Sequence, residues 1–122
     1  AMGEYFFYIK DYDEAIEKLE YAYSRNPKNE KFKNDLAAAY NQKAYFLYKS
    51  GKDLGYGIKL IDKAIKIKPN DGIILSTKAE LLYKLGRYEE AYEYIKRGKK
   101  LAPDKDEIKH DFKMIKDALG KK

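Results

Sequence analysis

The chain of 122 residues contains no cysteine and a single histidine, His110. The lack of cysteine excludes disulfides, thiolate zinc sites and a cysteine nucleophile, and it fits a reducing compartment. One histidine cannot build a histidine-rich metal site. We therefore expect no metal and no cofactor.

Long hydrophobic runs are also missing. The longest, YFFYI at residues 5–9, is far shorter than the ~20 residues that a transmembrane helix needs, and no signal-peptide pattern precedes it. We expect a cytoplasmic protein or the soluble part of a membrane-anchored one.

A helix that is apolar all round needs cover on several sides. Residues 5–9 thus predict an edge that contacts upstream sequence, a second copy of the chain or a membrane surface.

Catalytic motifs are absent as well. The three serines, Ser24, Ser50 and Ser76, have only His110 as a base, and no glycine-rich oxyanion loop accompanies them. No phosphate-binding glycine motif occurs. The sequence therefore predicts a protein that is not an enzyme.

Positive charge is concentrated at one end of the chain. The net charge is +6, but residues 1–25 hold three basic and six acidic groups, whereas residues 96–122 hold ten basic and five acidic groups. Such an excess is typical of a solvated lysine-rich face. The alternative is an anionic partner at the C-terminal end.

Proline is scarce, and its three copies are regularly placed. Pro27, Pro69 and Pro103 are separated by 42 and then 34 residues. The same offsets relate Ala15, Gly57 and Ala91; Leu19, Ile61 and Ile95; Ala22, Ala64 and Gly98; and Tyr12, Leu54 and Tyr88. This agreement indicates an internal repeat in which small residues allow helices to approach closely and larger ones fill the core.

The apolar spacing predicts helices throughout and no strand. We expect helices over residues 4–10, 12–25, 29–50, 53–67, 71–85, 88–101 and 104–119. Asp53 is expected to cap its helix, and Asp104 and Glu107 to form a capping box. The middle unit is eight residues longer than the last one, because the first two prolines are 42 residues apart and the next two are 34 apart. We therefore expect the helix over 29–50 to be about two turns longer than its neighbours, with Ala37 and Ala44 both at small-residue positions.

Residues 72–105 resemble the tetratricopeptide repeat, a unit of about 34 residues with two antiparallel helices. Leu75, Ala79, Leu82, Gly86, Tyr88, Ala91, Ile95 and Pro103 match its pattern, while Gly98 stands where alanine is usual. The resemblance implies an all-α, right-handed α-solenoid forming one domain. Its units are about 4–28 with a truncated first helix, 29–70 with an extended first helix, and 71–104, followed by a capping helix at 104–119.

The resemblance further implies a protein–protein interaction scaffold that binds a peptide or helix in a concave groove lined by first helices. The alternative is a homo-oligomerising soluble domain of a larger or membrane-anchored protein, self-associating through residues 5–9. The groove positions are Phe7, Tyr8, Asn34, Ala38, Asn41, Tyr45, Tyr48, Lys49, Ile73, Ser76, Glu80, Tyr83, Lys84, His110 and Met114.

Two ligand classes are not expected. Nucleic acid would have to bind a shallow convex face, where residues such as Lys63 and Lys96 fall. Some members of the family clamp the acidic C-terminal tails of heat-shock chaperones with lysine and arginine on the third helix of the series. The matching positions here are Ile73 and Thr77, which cannot make charge-assisted bonds to carboxylates. We therefore predict no such clamp.

Overall fold

The protein folds as a stack of helices. A computed structural model describes residues 2–120, with side chains from Asp11 onward. This part contains six helices and no strand: α1 (Met2–Arg25), α2 (Glu30–Ser50), α3 (Leu54–Ile67), α4 (Gly72–Lys84), α5 (Tyr88–Leu101) and α6 (Asp106–Ala118). The expected all-α fold is confirmed. Within the same residues, none of the helices is both long enough and apolar enough to cross a membrane.

The helices form two layers. Each helix packs against the next in sequence, and α4 also contacts α2 and α6. In the described part of the chain, by contrast, α1, α3 and α5 make no extended contact with one another. Because α2, α4 and α6 lie closer together than the helices of the other layer, they form the inner, concave side of the stack.

Helix α1 differs from the prediction of two helices over residues 4–10 and 12–25. It is a single helix of 24 residues. The later units turn at Gly51 and Gly86, which adopt left-handed φ values of 71° and 78°. Ile9 stands at the place of Gly51 when the units are aligned, and a β-branched residue strongly disfavours that conformation. The helix therefore continues where a turn was expected.

Side chains at the first turns explain where α2 and α4 begin. The Oδ1 atom of Asn29 accepts the backbone N–H of Phe32 at 3.0 Å. Asp71 accepts the N–H groups of Ile73 and Ile74 at 3.0 and 3.1 Å. These bonds satisfy donors that have no partner within a helix.

Two predicted caps are wrong. Asp53 precedes α3, but its backbone is left-handed and its side chain makes no capping bond. Helix α6 begins at Asp106 after Lys105, again without a side-chain cap. The capping box of Asp104 and Glu107 is absent because Glu107 instead accepts a hydrogen bond from Tyr45 of α2.

Small residues let the helices approach closely in the second and third units, as the repeat predicted, whereas Ala15 of the first unit is exposed. Ala37, Ala44, Ala64, Ala79 and Ala91 are all fully buried. At Gly98, an added Cβ would lie 3.1 Å from the backbone oxygen of Gly72, which explains why alanine does not occupy this position. Helix α2, with 21 residues, is about two turns longer than α3 and α4, as predicted, but the continuous α1, with 24 residues, is longer still.

Two lysines that the sequence did not single out connect the layers. Lys43 of α2 is 1% exposed, contacts the carboxylate of Asp13, and lies 4.4 Å from the ring centre of Tyr56. Lys78 of α4 bonds to Asp62 at 2.6 Å, and its ammonium group lies over the ring of Tyr94. Each lysine thus reaches from the inner layer to two helices of the outer layer. A buried ammonium requires such partners.

The contact between Gly72 and Gly98 predicts the effect of adding one methyl group. Alanine at position 72 would place Cβ 2.9 Å from the backbone oxygen of Gly98 and 3.0 Å from Cβ of Ala102. Because backbone must move, we expect Gly72→Ala to lower the free energy of unfolding by about 1–3 kcal/mol in urea denaturation.

Gly55→Ala is the matched control. Gly55 also lies in a helix, but nothing is within 4 Å of its added Cβ. This change should be neutral or stabilise the protein by up to about 1 kcal/mol. Equal effects of the two substitutions would contradict the close approach of α4 and α5.

Candidate functional site on the concave face

The open part of the concave face lies between the first halves of α2 and α4. A depression of about 220 Å³ is lined by Asn34, Ala37, Ala38, Asn41, Lys68, Asp71, Ile73 and Ile74. A second depression, of about 380 Å³, shares Asn34, Lys68 and Asp71 with the first and extends to Glu30 and Lys33. The shared residues make the two depressions one continuous groove, which we call the open groove.

The extra turns of α2 build one end of this groove. When α2 and α4 are aligned at Gly51 and Gly86, the first residue of α4 corresponds to Ala37. Residues 30–36 therefore have no counterpart in α4, and they include Glu30, Lys33 and Asn34 of the groove wall. Seven of the eight extra residues in the middle unit thus lengthen the concave surface.

The open groove contains an amide oxygen with an unused acceptor. The Oδ1 atom of Asn41 is buried and has no hydrogen-bond partner in the described structure. An unsatisfied buried acceptor costs about 1–3 kcal/mol. Nearby, Ile73 is 45% exposed despite being apolar. The groove therefore offers both an acceptor for an N–H group and an apolar surface.

The second half of the concave face is covered by side chains of the protein itself. The Tyr45 hydroxyl donates to Oε1 of Glu107 at 2.7 Å, so that α2 and α6 meet across α4. The ring of Tyr48 lies 5.8 Å from that of Tyr45. Lys49 and Lys84 place their ammonium groups 5.6 and 5.2 Å from the ring centres of Tyr45 and Tyr48, respectively.

Glu80 of α4 and Asp111 of α6 lie buried in this covered half, each 2% exposed. Burial, then the neighbouring Asp111 and Glu107 carboxylates, raises the pKa of Glu80 to about 10. Burial also raises the pKa of Asp111 to about 6, although its hydrogen bond with Glu80 opposes the rise. Glu80 is therefore protonated at neutral pH and donates to Asp111. The same surroundings raise the pKa of Tyr48 to about 12, with burial the main cause.

The structure divides the predicted groove residues into separate groups. Asn34, Ala38, Asn41 and Ile73 line the open groove. Tyr45, Tyr48, Lys49, Glu80 and Lys84 belong to the covered half. Tyr83 packs beside Tyr88 at 5.3 Å. His110 and Met114 line a separate depression of about 310 Å³ on α6. The side chains of Phe7 and Tyr8 lie outside the described residues.

Two of the predicted positions do not present a surface to a ligand. Ser76 is buried, and its hydroxyl donates to the carbonyl oxygen of Ile73 at 2.7 Å. Glu80 is covered by α6, which the prediction treated as a cap that adds His110 and Met114 to the groove rather than as a cover over it. Both assignments as exposed lining are therefore corrected, because neighbouring helices fill the space above them.

Glu107 and Asp111 were missed as residues of the concave face. Asp111 lies on the apolar stripe of α6, three residues after Ile108 and four before Ile115. A carboxylate on a core-facing stripe is a signal for a buried partner. Across the described side chains, no cluster of acidic, histidine or cysteine residues is placed to hold a metal ion.

Comparison with known proteins agrees with the repeat geometry. The family model of the tetratricopeptide repeat matches residues 73–105, which span α4 and α5. Residues 73–105 thus match a tetratricopeptide repeat, and the whole chain is similar to proteins that contain this repeat. It is 30% identical over 123 residues to small glutamine-rich tetratricopeptide repeat-containing protein 2 of Mycosarcoma maydis. The match covers 98% of this chain and 32% of that relative, so the chain spans about a third of the relative's length.

Solved tetratricopeptide repeat domains share the fold. The first such domain of human RPAP3 has a TM-score of 0.63 and 23% identity, covering 98% of this chain and 87% of that one. The first domain of Spaghetti (RPAP3), bound to an HSP90 peptide, gives 0.63 and 22%, with 98% and 88% covered. The C-terminal domain of a Plasmodium falciparum FK506-binding protein gives 0.64 and 21%, with 98% and 84% covered.

The buried acid pair makes the stability of the protein depend on pH. The pKa of Glu80 is raised in the folded state, so the folded protein holds a proton that the unfolded chain loses above its ordinary pKa of 4.5. This contribution to stability is therefore complete below about pH 4.5 and is lost progressively toward pH 10. One such proton changes the free energy of unfolding by about 1.4 kcal/mol per pH unit.

Glu80→Gln should remove this dependence, because glutamine stays neutral and keeps an N–H donor for Asp111. We expect the variant to match the wild type near pH 4.5 and to exceed its stability by a margin that grows by up to about 1.4 kcal/mol per pH unit toward pH 8. Urea denaturation at several pH values measures the difference. Glu89→Gln, at an exposed position, is the control and should show no such trend. A constant difference between Glu80→Gln and the wild type would contradict the assigned proton.

Proposed function

We propose that this domain is a non-catalytic scaffold that binds an extended segment or helix of another protein on its concave face. The observation that supports this most directly is the buried, unpartnered Oδ1 atom of Asn41 in the open groove. A backbone N–H of a bound segment would satisfy it. Tetratricopeptide repeat domains are generally interaction modules, and the fold of this chain agrees with that role.

The surface of the groove suggests how such a segment binds. Ile73 and Ala38 supply apolar area, and Asn34 and Asn41 lie two helical turns apart. Each amide can both donate to and accept from a peptide backbone. We expect micromolar rather than picomolar affinity, because ordering a flexible segment offsets much of the contact energy.

An acidic C-terminal tail is not the expected ligand. A related domain was solved with the HSP90 peptide SRMEEVD. In this chain, however, Ile73 carries no charge, and the Thr77 hydroxyl is buried and donates to the Ile73 carbonyl oxygen at 3.2 Å. Glu107 and Asp111 add negative charge to the covered half. We propose that these features disfavour a carboxylate-rich tail.

The convex side offers little to nucleic acid. Lys63 lies over the ring of Tyr40, Lys96 over Tyr92, and Lys99 over Phe112, at 5.7, 4.8 and 4.0 Å from the ring centres. Rings covered by the protein's own lysines are less available for stacking on bases. Self-association through residues 5–9 stays a hypothesis, because those side chains lie outside the described part.

Asn41→Ala tests the proposed function with peptides selected against the domain from a random display library. The change removes the acceptor, so we expect binding to weaken by about 1–3 kcal/mol in isothermal titration calorimetry. Stability should be unchanged or slightly higher, since an unsatisfied buried atom is lost.

Gln42→Ala is the matched control, because Gln42 is the exposed neighbour of Asn41 on the same helix. Lys63→Ala and Lys96→Ala serve as controls on the convex side. Affinities that follow these lysines and ignore Asn41 would overturn the proposed function.

A further inference from the structure

A cleft opens on the convex side of the stack, between the outer helices α1 and α3. Its volume is about 440 Å³. In the described part of the chain these two helices make no extended contact with one another, so α2 forms the bottom of the cleft. The lining residues are Glu20, Tyr23, Leu36, Tyr40, Lys63, Lys66 and Ile67, and we call this site the outer cleft.

The inside of the outer cleft is mainly apolar. Leu36 and Tyr40 lie at its bottom, and both are buried. Tyr23 of α1 and Ile67 of α3 are partly buried and form its sides. Small-molecule pockets combine such an apolar lining with a few polar groups, and the volume of the outer cleft falls within their usual range of about 300–1,000 Å³.

The charges at the rim of the outer cleft are unequal. The Tyr40 hydroxyl donates to Glu20, and the ammonium group of Lys63 lies 4.0 Å from the same carboxylate. Lys66, one turn further along α3, forms no ion pair with any of the described side chains. Two positive charges thus face one negative charge, and this excess favours an anion.

We propose that the outer cleft binds a small organic anion in which one carboxylate is joined to an apolar body, as in a medium-chain fatty acid. The carboxylate pairs with Lys66 and Lys63 at the rim, while the apolar body covers Tyr23 and Ile67. This site is separate from the concave face, so the inference goes beyond the proposed function and does not rest on it.

The two parts of such a ligand contribute differently. Burial of the apolar body supplies most of the affinity, because the hydrophobic effect scales with the area removed from water. The carboxylate adds less, since ion pairs at an exposed rim are weak. Its main effect is to select anions over neutral or cationic molecules of the same shape.

The test titrates the protein with octanoate and follows backbone ¹H–¹⁵N spectra. As comparison probes, 1-octanol lacks the charge, octylammonium reverses it, and acetate lacks the apolar body. Octanoate should shift the amides of Tyr23, Leu36 and Lys66, and it should bind about threefold to fivefold more tightly than octanol. Octylammonium should bind more weakly than octanol, and acetate should leave these amides unchanged.

Two variants at the rim locate the charge effect. Lys66→Gln should weaken octanoate about threefold and leave octanol unchanged. Glu20→Gln keeps a carbonyl oxygen for the Tyr40 hydroxyl but removes the negative charge, so octanoate should bind about threefold more tightly. Lys59→Gln is the matched control, because Lys59 is an exposed lysine of α3 that does not line the cleft, and it should change neither affinity.

Three results would overturn the inference. They are equal affinities for octanoate and octanol, equal effects of Lys66→Gln and Lys59→Gln, and octanoate shifts that leave the amides of the outer cleft unchanged. Weaker or unchanged octanoate binding in Glu20→Gln would overturn the assigned role of the rim charges.

The inference and the proposed function fail separately. The outer cleft and the open groove share only Ile67 and otherwise use different sides of α2. Saturating octanoate should therefore leave Asn41-dependent peptides bound, and Lys63→Ala should weaken octanoate without changing the affinity of those peptides. Octanoate that displaces them would overturn the outer cleft. A failure to select any peptide would count against the scaffold function and leave the outer cleft standing.

Discussion

The contact between the carboxyls of Glu80 and Asp111 is the interaction on which the concave face depends. Helix α4 packs against α2, α3, α5 and α6, so most of its side chains, Glu80 among them, are buried. Glu80 can remain buried only if it is neutral or paired. Its proton supplies the bond to Asp111 and joins the capping helix to the rest of the stack. The polar contact therefore adds specificity to an interface that is otherwise apolar.

The lengths of the helices determine where the concave face is open. In its second half, α2 faces α4 at matching positions, and α6 lies close enough for Tyr45 to reach Glu107. In its first half, α2 continues for two turns beyond the beginning of α4. There, Asn34 and its neighbours face the connection at Lys68 and Asp71, and the groove stays open. The extra residues at the start of α2 thus add an open groove beside the covered half of the concave face.

Much of this architecture could be predicted from the sequence. The spacing of Ala15, Gly57 and Ala91, like that of the prolines, depends only on local packing rules, and the paired helices follow from it. The length of α2 followed from the spacing of the prolines, because the middle unit has eight more residues than the last one. The continuous α1 could have been recognised from Ile9, since no glycine stands there to begin a turn.

The electrostatics of the site could not be predicted in the same way. The burial of Glu80 depends on how α6 lies across α4, and the partner of Glu107 is 62 residues away in sequence. Similarly, Lys43 is indistinguishable in the sequence from the many exposed lysines, although Asp13 and Tyr56 enclose it. Such contacts join side chains of different helices, whereas the repeat pattern predicts only which positions within each helix are buried.

The protonation of Glu80 can be measured directly. In a ¹³C NMR titration of the side-chain carboxyl carbons, Glu80 should keep the chemical shift of a protonated acid at pH 7 and should titrate well above neutral, while Asp111 titrates near pH 6. A Glu80 carboxyl that titrates near its ordinary value of about 4.5, with no coupling to Asp111, would contradict the account of the concave face.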